Sequence, residues 1–186
     1  QSLINDLLRF SRETTSNEDY SFVQLNDLLN EVLTDMEVEI EKTSAQIQVG
    51  PLPKVWAIAS QMRQVFQNLI SNAIKFRKPD TVPVIQIFND AQKKEVYRIV
   101  LQDNGIGFDP KYAEEIFMVF KRLHSYHEFE GSGVGLSICK KIVERHNGSI
   151  RAESRPGMGS RFLLDLPLIE NRLKVAEIPL EKIKVV

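Results

Sequence analysis

Asn68, Ser71, Asn72 and Lys75 recur at spacings of three and four residues, with Gln64 one turn earlier. At 100° per residue these five fall within an arc of roughly 100° on one side of a helix. Two amide oxygens one turn apart, with a lysine three residues on, suit a magnesium–phosphate site. Magnesium prefers hard oxygen donors and keeps phosphate oxygens and waters in its shell, and lysine is a mobile point charge for phosphates. A plain solvated helix face has the same periodicity, and the helix alone does not decide between the two. Asp103 ends a strand-like run and is followed by Asn104-Gly105-Ile106-Gly107-Phe108. A carboxylate there can accept a hydrogen bond from an exocyclic amine such as that of adenine, and the glycines let a flat ligand approach the backbone. An ordinary Asn-Gly hairpin turn is the competing reading. A second cluster, Gly131-Ser132-Gly133-Val134-Gly135-Leu136-Ser137, opens directly into a helical pattern. Backbone N–H groups and a helix N-terminus together attract anions there, unless the stretch is only a loose loop before a helix. Its spacing is not the dinucleotide fingerprint, because Leu136 stands where the third glycine belongs, and no Gly-Lys pair supplies a P-loop. The H-R-D and D-F-G triplets of protein serine and tyrosine kinases are absent.

These groups need elements to hold them. Met62, Val65, Phe66, Leu69, Ile70, Ala73 and Ile74 follow the i, i+3, i+4, i+7 rule and predict a helix over about 60–76. Another helix is expected over about 26–42 after a short strand at 22–25, a third over roughly 110–117, and a fourth over about 135–146. Asp109 and Pro110 suit a helix start, and Asn147-Gly148 a left-handed stop. Short strands are expected at 47–49 and 55–58. Strands at 84–88 and 96–101 read as antiparallel neighbours, and 150–154 with 160–167 as a hairpin across 155–159. Helices and antiparallel strands without regular β-α-β alternation predict an α+β fold, a two-layer sandwich.

The chain has 186 residues, enough for one domain with a core and a short appendage. Twenty-four basic against 25 acidic residues leave a net charge of -1, which argues against a nucleic-acid or anionic-membrane binder. A single cysteine, Cys139, excludes an intrachain disulfide and a multi-cysteine metal site, and on its amphipathic helix it is expected to be buried rather than reactive. No apolar run is long enough to span a bilayer. Gln1 falls in mid-pattern, with Leu3, Ile4, Leu7 and Leu8 already on one helical stripe, so a fragment of a longer protein is expected.

In order along the chain, NLISNAIKF, DNGIGF, IFMVFKRLH, GSGVGLSICKKIVERHNG and GMGS resemble the catalytic ATP-binding domain of sensor histidine kinases. That domain shares a superfamily with the ATPase domains of DNA gyrase and ATP-dependent chaperones. The stretch from Phe120 to His146 is most similar to the phytochrome-like branch. The resemblance covers about 20–168. It implies a mixed, mostly antiparallel sheet packed on three helices, with ATP held under a flexible lid. Residues 1–16 would be the end of a truncated helical hairpin that dimerises and carries the phosphoacceptor, and 169–186 a C-terminal tail. Asn72 would be the Mg2+ ligand, Asn68 and Lys75 would face the phosphates, and Asp103 would read the adenine amine with Gly105 and Gly107 shaping its pocket. Phe117 and Phe120 would match the phenylalanine box that anchors the lid. Gly131, Gly133, Gly135 and Leu136 would form the lid's hinge and phosphate-facing end, and Ser160 would close the last glycine box, where the family often has threonine. The implied partners are ATP, a response-regulator receiver domain and a second copy of the parent, joined through the hairpin. The implied location is cytoplasmic, with a parent that can be membrane-anchored.

Hydrolytic relatives such as gyrase carry glutamate at the position of Asn68. An amide is a poor general base, so slow hydrolysis and phosphoryl transfer to histidine are expected. A nucleotide-dependent interaction module and a hydrolysing ATPase of gyrase or chaperone type are the competing functions. None of the three histidines suits the acceptor. His127-Glu128 resembles an acceptor box but precedes Gly131 in the lid. His124 is expected in the lid near phosphate. His146 is expected to end its helix as a favourable partial cation. Lys121 and Arg122 read equally as phosphate contacts or solvated charges.

Overall fold

The computed structural model describes residues 19–93, 95–123, 129 and 131–168. The hairpin stub at 1–16, the tail at 169–186, and His124 and His127 lie outside the described residues. The described elements are β1 (Ser21–Gln24), α1 (Leu25–Asp35), α2 (Glu37–Thr43), β2 (Gln46–Val49), β3 (Lys54–Ala57), α3 (Ala59–Lys75), β4 (Val84–Asn89), β5 (Val96–Asp103), α4 (Gly135–Arg145), β6 (Ser149–Ser154) and β7 (Ser160–Pro167).

Five strands make one sheet in the order β2-β4-β5-β7-β6. Only the β2–β4 pair is parallel, and β4–β5, β5–β7 and β6–β7 are antiparallel. A separate antiparallel ribbon joins β1 to β3. Alternate residues of each strand turn to one face, and Ile85, Ile87, Ile99, Leu101, Phe162 and Leu164 put that face into a single apolar cluster with α1, α3 and α4. The result is the expected two-layer sandwich of a mixed, mostly antiparallel sheet on three helices. On the other face Arg98 grips Asp165 directly across the β5–β7 register, with Nε–Oδ1 at 2.6 Å and Nη2–Oδ2 at 2.5 Å.

α3 is the central helix. All seven predicted stripe residues, Met62 to Ile74, are buried, and each of the six larger ones (all but Ala73) contributes about 1.5–3 kcal/mol relative to its exposed state. Arg63 bridges α3 to α1 by pairing with Glu31 and Asp35. α4 packs beside α3, with Cys139 fully buried as expected and its Sγ 3.8 Å from the Val65 carbonyl. The Asn147-Gly148 stop is present: Asn147 sits at φ 57°, and the Gly148 N–H reaches the Val143 carbonyl at 3.0 Å.

Three expectations are corrected. Leu25 is the first residue of α1, not the end of a strand. The helix expected over 26–42 breaks at Met36, whose φ of -100° and ψ of 6° separate α1 from α2. The helix expected over 110–117 is two short 3-10 turns, 110–112 and 115–117. The Asp109 cap forms, its Oδ1 accepting from the Lys111 N–H at 3.0 Å. The second turn buries Ile116 and Phe117 and ends at Met118, whose backbone is extended at φ -73° and ψ 143°.

Candidate functional site

A cleft of about 290 Å³ opens between α3, the loop after β5 and the segment leading into α4. Its floor is the polar side of α3. Asn68, Ser71, Asn72 and Lys75 line it, and all four are half-buried rather than solvated. Gln64, also half-buried, lies one turn outside.

Asp103 lines one end. Its Oδ1 accepts two backbone hydrogen bonds, from Gly105 N–H at 2.8 Å and from Ser160 N–H at 3.2 Å. Among the described residues no hydrogen-bond donor engages Oδ2. Burial pushes the carboxyl above the usual carboxylate range; the two N–H donors and the charge of Lys78 oppose this without cancelling it. Phe76, at the end of α3, closes in behind: its carbonyl accepts from the Ile106 N–H at 2.9 Å. A Cβ on Gly105 would lie 2.5 Å from that carbonyl oxygen, so only glycine fits there. Gly107, at φ 64°, lines the cleft directly, and a side chain on it would overlap the Arg155 carbonyl.

Lys75 and Asn68 mark the other end, under a roof of glycines. A Cβ on Gly131 would sit 3.1 Å from the Lys75 Nζ, and one on Gly135 would sit 3.5 Å from the Asn68 Oδ1. Asn68 also donates to the Gly135 carbonyl at 3.4 Å. Gly133 and Leu136 complete this wall. α4 begins at Gly135, so its first-turn N–H groups, which have no intrahelical acceptor, belong to the same end. The Lys75 ammonium lies 4.4 Å from the centre of the Phe76 ring. Burial first, and the nearby Arg122 charge second, hold its pKa below that of a free lysine, with Glu39 pulling the other way. Arg122 lines the cleft and donates to the Phe129 carbonyl at 2.6 Å, while Lys121 lines it and pairs with Glu115.

Phe117 and Phe120 stand apart from the cleft. Phe117 is buried edge-on against Phe162, 6.5 Å between ring centres. Phe120 has a ring 50% exposed and a left-handed backbone at φ 63°, and its N–H donates to the Gly133 carbonyl at 3.1 Å. Neither lines the cavity: Phe117 backs Phe162 in its wall, and Phe120 is tied by its backbone to the glycine roof. Ser160 does line it. The apolar wall of Phe76, Ile106, Phe108, Leu123, Phe129 and Phe162 was not singled out from sequence, although Phe76 directly follows Lys75.

His146 corrects another expectation. It is 1% exposed, its Nε2 accepts from the Ile58 N–H at 3.0 Å, and its Nδ1 lies 2.7 Å from the Ile142 carbonyl. Only the neutral Nδ1–H tautomer satisfies both partners. The ring is thus a neutral bridge between α4 and the residue before α3, not a helix-end cation.

The family model described as histidine kinase-, DNA gyrase B- and HSP90-like ATPase matches residues 57–170, and the chain belongs to that family. The relatives that the chain matches within that family include sensory kinases. It is 43% identical over 168 residues to phytochrome-like protein Cph1 of Synechocystis sp., covering 90% of this chain and 22% of that protein. Among solved structures, full-length ShkA in complex with AMPPNP superposes with a TM-score of 0.74 at 25% identity, over 89% of this chain and 35% of that one. Histidine kinase ThkA in complex with response regulator TrrA gives 0.68 at 25% identity, over 89% and 46%. The chain spans about a fifth of the length of the phytochrome-like relatives it matches.

Proposed function

We propose that the cleft binds Mg-ATP and that the domain passes the γ-phosphoryl group to a histidine on a helical hairpin lying upstream of it. The observation that carries this reading is a single cavity lined by a half-buried carboxylate and by an amide–lysine–helix-terminus cluster. A carboxylate suits the amine of a purine and the cationic, N–H-rich cluster suits phosphates, and the AMPPNP complex of ShkA supports the same ligand class. The donor set also fits magnesium: no cluster of three or more His, Cys, Asp or Glu is present among the described residues, so a metal here would rest on amide and phosphate oxygens, with Asn72 as the protein ligand. When bound, Mg2+ supplies charge neutralisation on the phosphates.

The remaining roles fall to the chain. Asp103 accepts a hydrogen bond from the adenine 6-amine through Oδ2. Lys75 and the N-terminus of α4 stabilise phosphate charge, and Asn68 holds the roof in register through Gly135. The bond between the γ-phosphorus and its bridging oxygen breaks as a P–N bond forms to the imidazole. ADP leaves with the electron pair, and the domain contributes positioning and electrostatics rather than a base. Asn68, an amide, does not activate water. The parent is a dimer through the hairpin and hands the phosphoryl group to a receiver-domain aspartate, in line with the ThkA–TrrA complex. Among the described residues no helix is long and apolar enough to cross a membrane.

Titration calorimetry with a non-hydrolysable ATP analogue, with and without magnesium, tests the binding. Radiolabelled ATP incubated with the full-length parent tests the transfer: label is expected on histidine. Absence of magnesium-dependent binding, or steady phosphate release of several turnovers per minute, refutes the reading.

A further inference from the structure

Two stretches distant in sequence build the carboxylate end of the cleft: 103–108, from the last residue of β5 onward, and 154–160, from the last residue of β6 to the first of β7. Gly157 N–H donates to the Ile106 carbonyl at 2.6 Å, and Ser160 N–H donates to the Asp103 Oδ1 at 3.2 Å. Two further hydrogen bonds share one hydroxyl. Ser154 Oγ accepts from the Phe108 N–H at 2.9 Å and donates to the Gly159 carbonyl at 2.7 Å, with the Ser160 hydroxyl 3.2 Å away. Ser154 therefore ties Phe108 of the first stretch to the Gly159 carbonyl of its own hairpin, with its donor and acceptor capacities both engaged. The Gly159 carbonyl and the Ser160 N–H belong to the same planar peptide unit. Ser154 holds that plane by its oxygen, and Asp103 is held by its hydrogen on the opposite side. The two backbones also lie close together, since a Cβ on Gly159 would overlap the Asp103 carbonyl.

We propose that Ser154, which does not line the cleft, is a positioning residue that sets the discrimination of the site between 6-amino and 6-oxo purines. Through the 159–160 peptide it orients the Asp103 carboxylate and hence Oδ2. Without the hydroxyl the plane can tilt, the Ser160 N–H loosens, and the carboxylate turns away from a 6-amine. The inference rests on the reading of Asp103 given above.

The test is calorimetric binding of ADP and inosine diphosphate to the wild-type protein and to Ser154→Ala, Ser154→Cys and Ser154→Thr. Inosine diphosphate has a 6-oxo group and so lacks the amine. Ser154→Ala is expected to weaken ADP about fivefold to tenfold, the loss of one net hydrogen bond, and inosine diphosphate less than about twofold. Ser154→Thr, which keeps the hydroxyl, restores the ratio to within about twofold of wild type. Ser154→Cys, with a weak donor of similar shape, falls between, and carries the test if the alanine variant does not fold. Equal weakening of both nucleotides, as a purely structural role would give, or an unchanged ratio overturns the proposal. A wild-type protein that does not prefer ADP overturns the Asp103 reading as well, whereas a wild-type preference retained in Ser154→Ala overturns this inference alone.

Discussion

Asp103→Asn is expected to move stability and recognition in opposite directions. In the folded protein the carboxyl pKa is raised, chiefly by burial. A raised folded pKa means that this group contributes stability below its unfolded pKa and loses it as pH rises through the folded value. At neutral pH the ionised carboxylate is therefore a net cost to the fold. Asparagine keeps an Oδ1 that accepts both the Gly105 and Ser160 N–H groups, and it carries no charge. The variant should melt at or above the wild-type temperature near neutral pH, and its advantage should shrink toward acid. Recognition runs the other way. A hydrogen bond to an ionised acceptor is worth about 1.5–3 kcal/mol, so ADP should bind roughly 10- to 150-fold more weakly. The new amide also presents a donor that suits a 6-oxo group, so inosine diphosphate should be spared. Wild-type ADP affinity should itself fall as pH drops through the raised Asp103 pKa, because the protonated carboxyl no longer accepts at both oxygens. Calorimetry with both nucleotides, alongside thermal melts across acid to neutral pH, reads all of these. Unchanged ADP affinity in Asp103→Asn refutes the placement of the purine, and a loss of ADP binding that tracks a fall in melting temperature refutes the claim that the carboxylate is retained for recognition at the expense of stability.

Other outcomes follow from other parts of the molecule. The affinity that Lys75 lends to a triphosphate analogue should be lost at a lower pH than a free lysine would require, because burial and Arg122 lower its pKa; Lys75→Arg should hold its affinity further into the alkaline range, and identical alkaline profiles would count against a phosphate role. His146→Ala removes the acceptor for a buried N–H and should cost roughly 2–4 kcal/mol in urea unfolding, with the nucleotide affinity of the folded protein unchanged. Arg98→Met leaves Asp165 nearly buried with only the 3.4 Å contact from Arg151 and should cost about 3 kcal/mol, while Arg98→Met with Asp165→Leu should recover most of it; a double variant as unstable as the single would refute the ion-pair account.

Local regularity made some of the fold legible. The α3 stripe was readable because seven buried positions keep one period, and the β4–β5 and β6–β7 pairings because short polar or glycine turns join them. The β5–β7 and parallel β2–β4 pairings join segments far apart in the chain, and no local turn announces them. Periodicity also shows which side of a helix faces the core without showing what covers the other side. That is why Asn68, Asn72 and Lys75 could be read as a solvated face until Gly131 and Gly135 appeared over them. His146 misled for a similar reason: position at a helix end suggests a cation, whereas the Ile58 N–H that fixes its neutral form comes from the distant stretch before α3.

The two ends of the cleft are held by different means, and this divides their tasks. At Asp103 the backbone does the holding, through a zipper of short hydrogen bonds between two loops and glycines too crowded to accept a side chain. Such a site is set before a ligand arrives, which would let it discriminate between purines whose C6–N1 edges exchange donors for acceptors. At Lys75 the holding groups are a long side chain resting on an aromatic ring and one 3.4 Å contact from Asn68 to Gly135. Those contacts are weak enough to be exchanged for phosphate oxygens, and Gly133, at φ 74° and against Lys121 and Arg122, lets the backbone approach where side chains would block it. If the cleft binds Mg-ATP as proposed, the rigid end would select the base and the yielding end would reorganise around the phosphates, an arrangement that would keep the base seated while the γ-phosphoryl group is handed on.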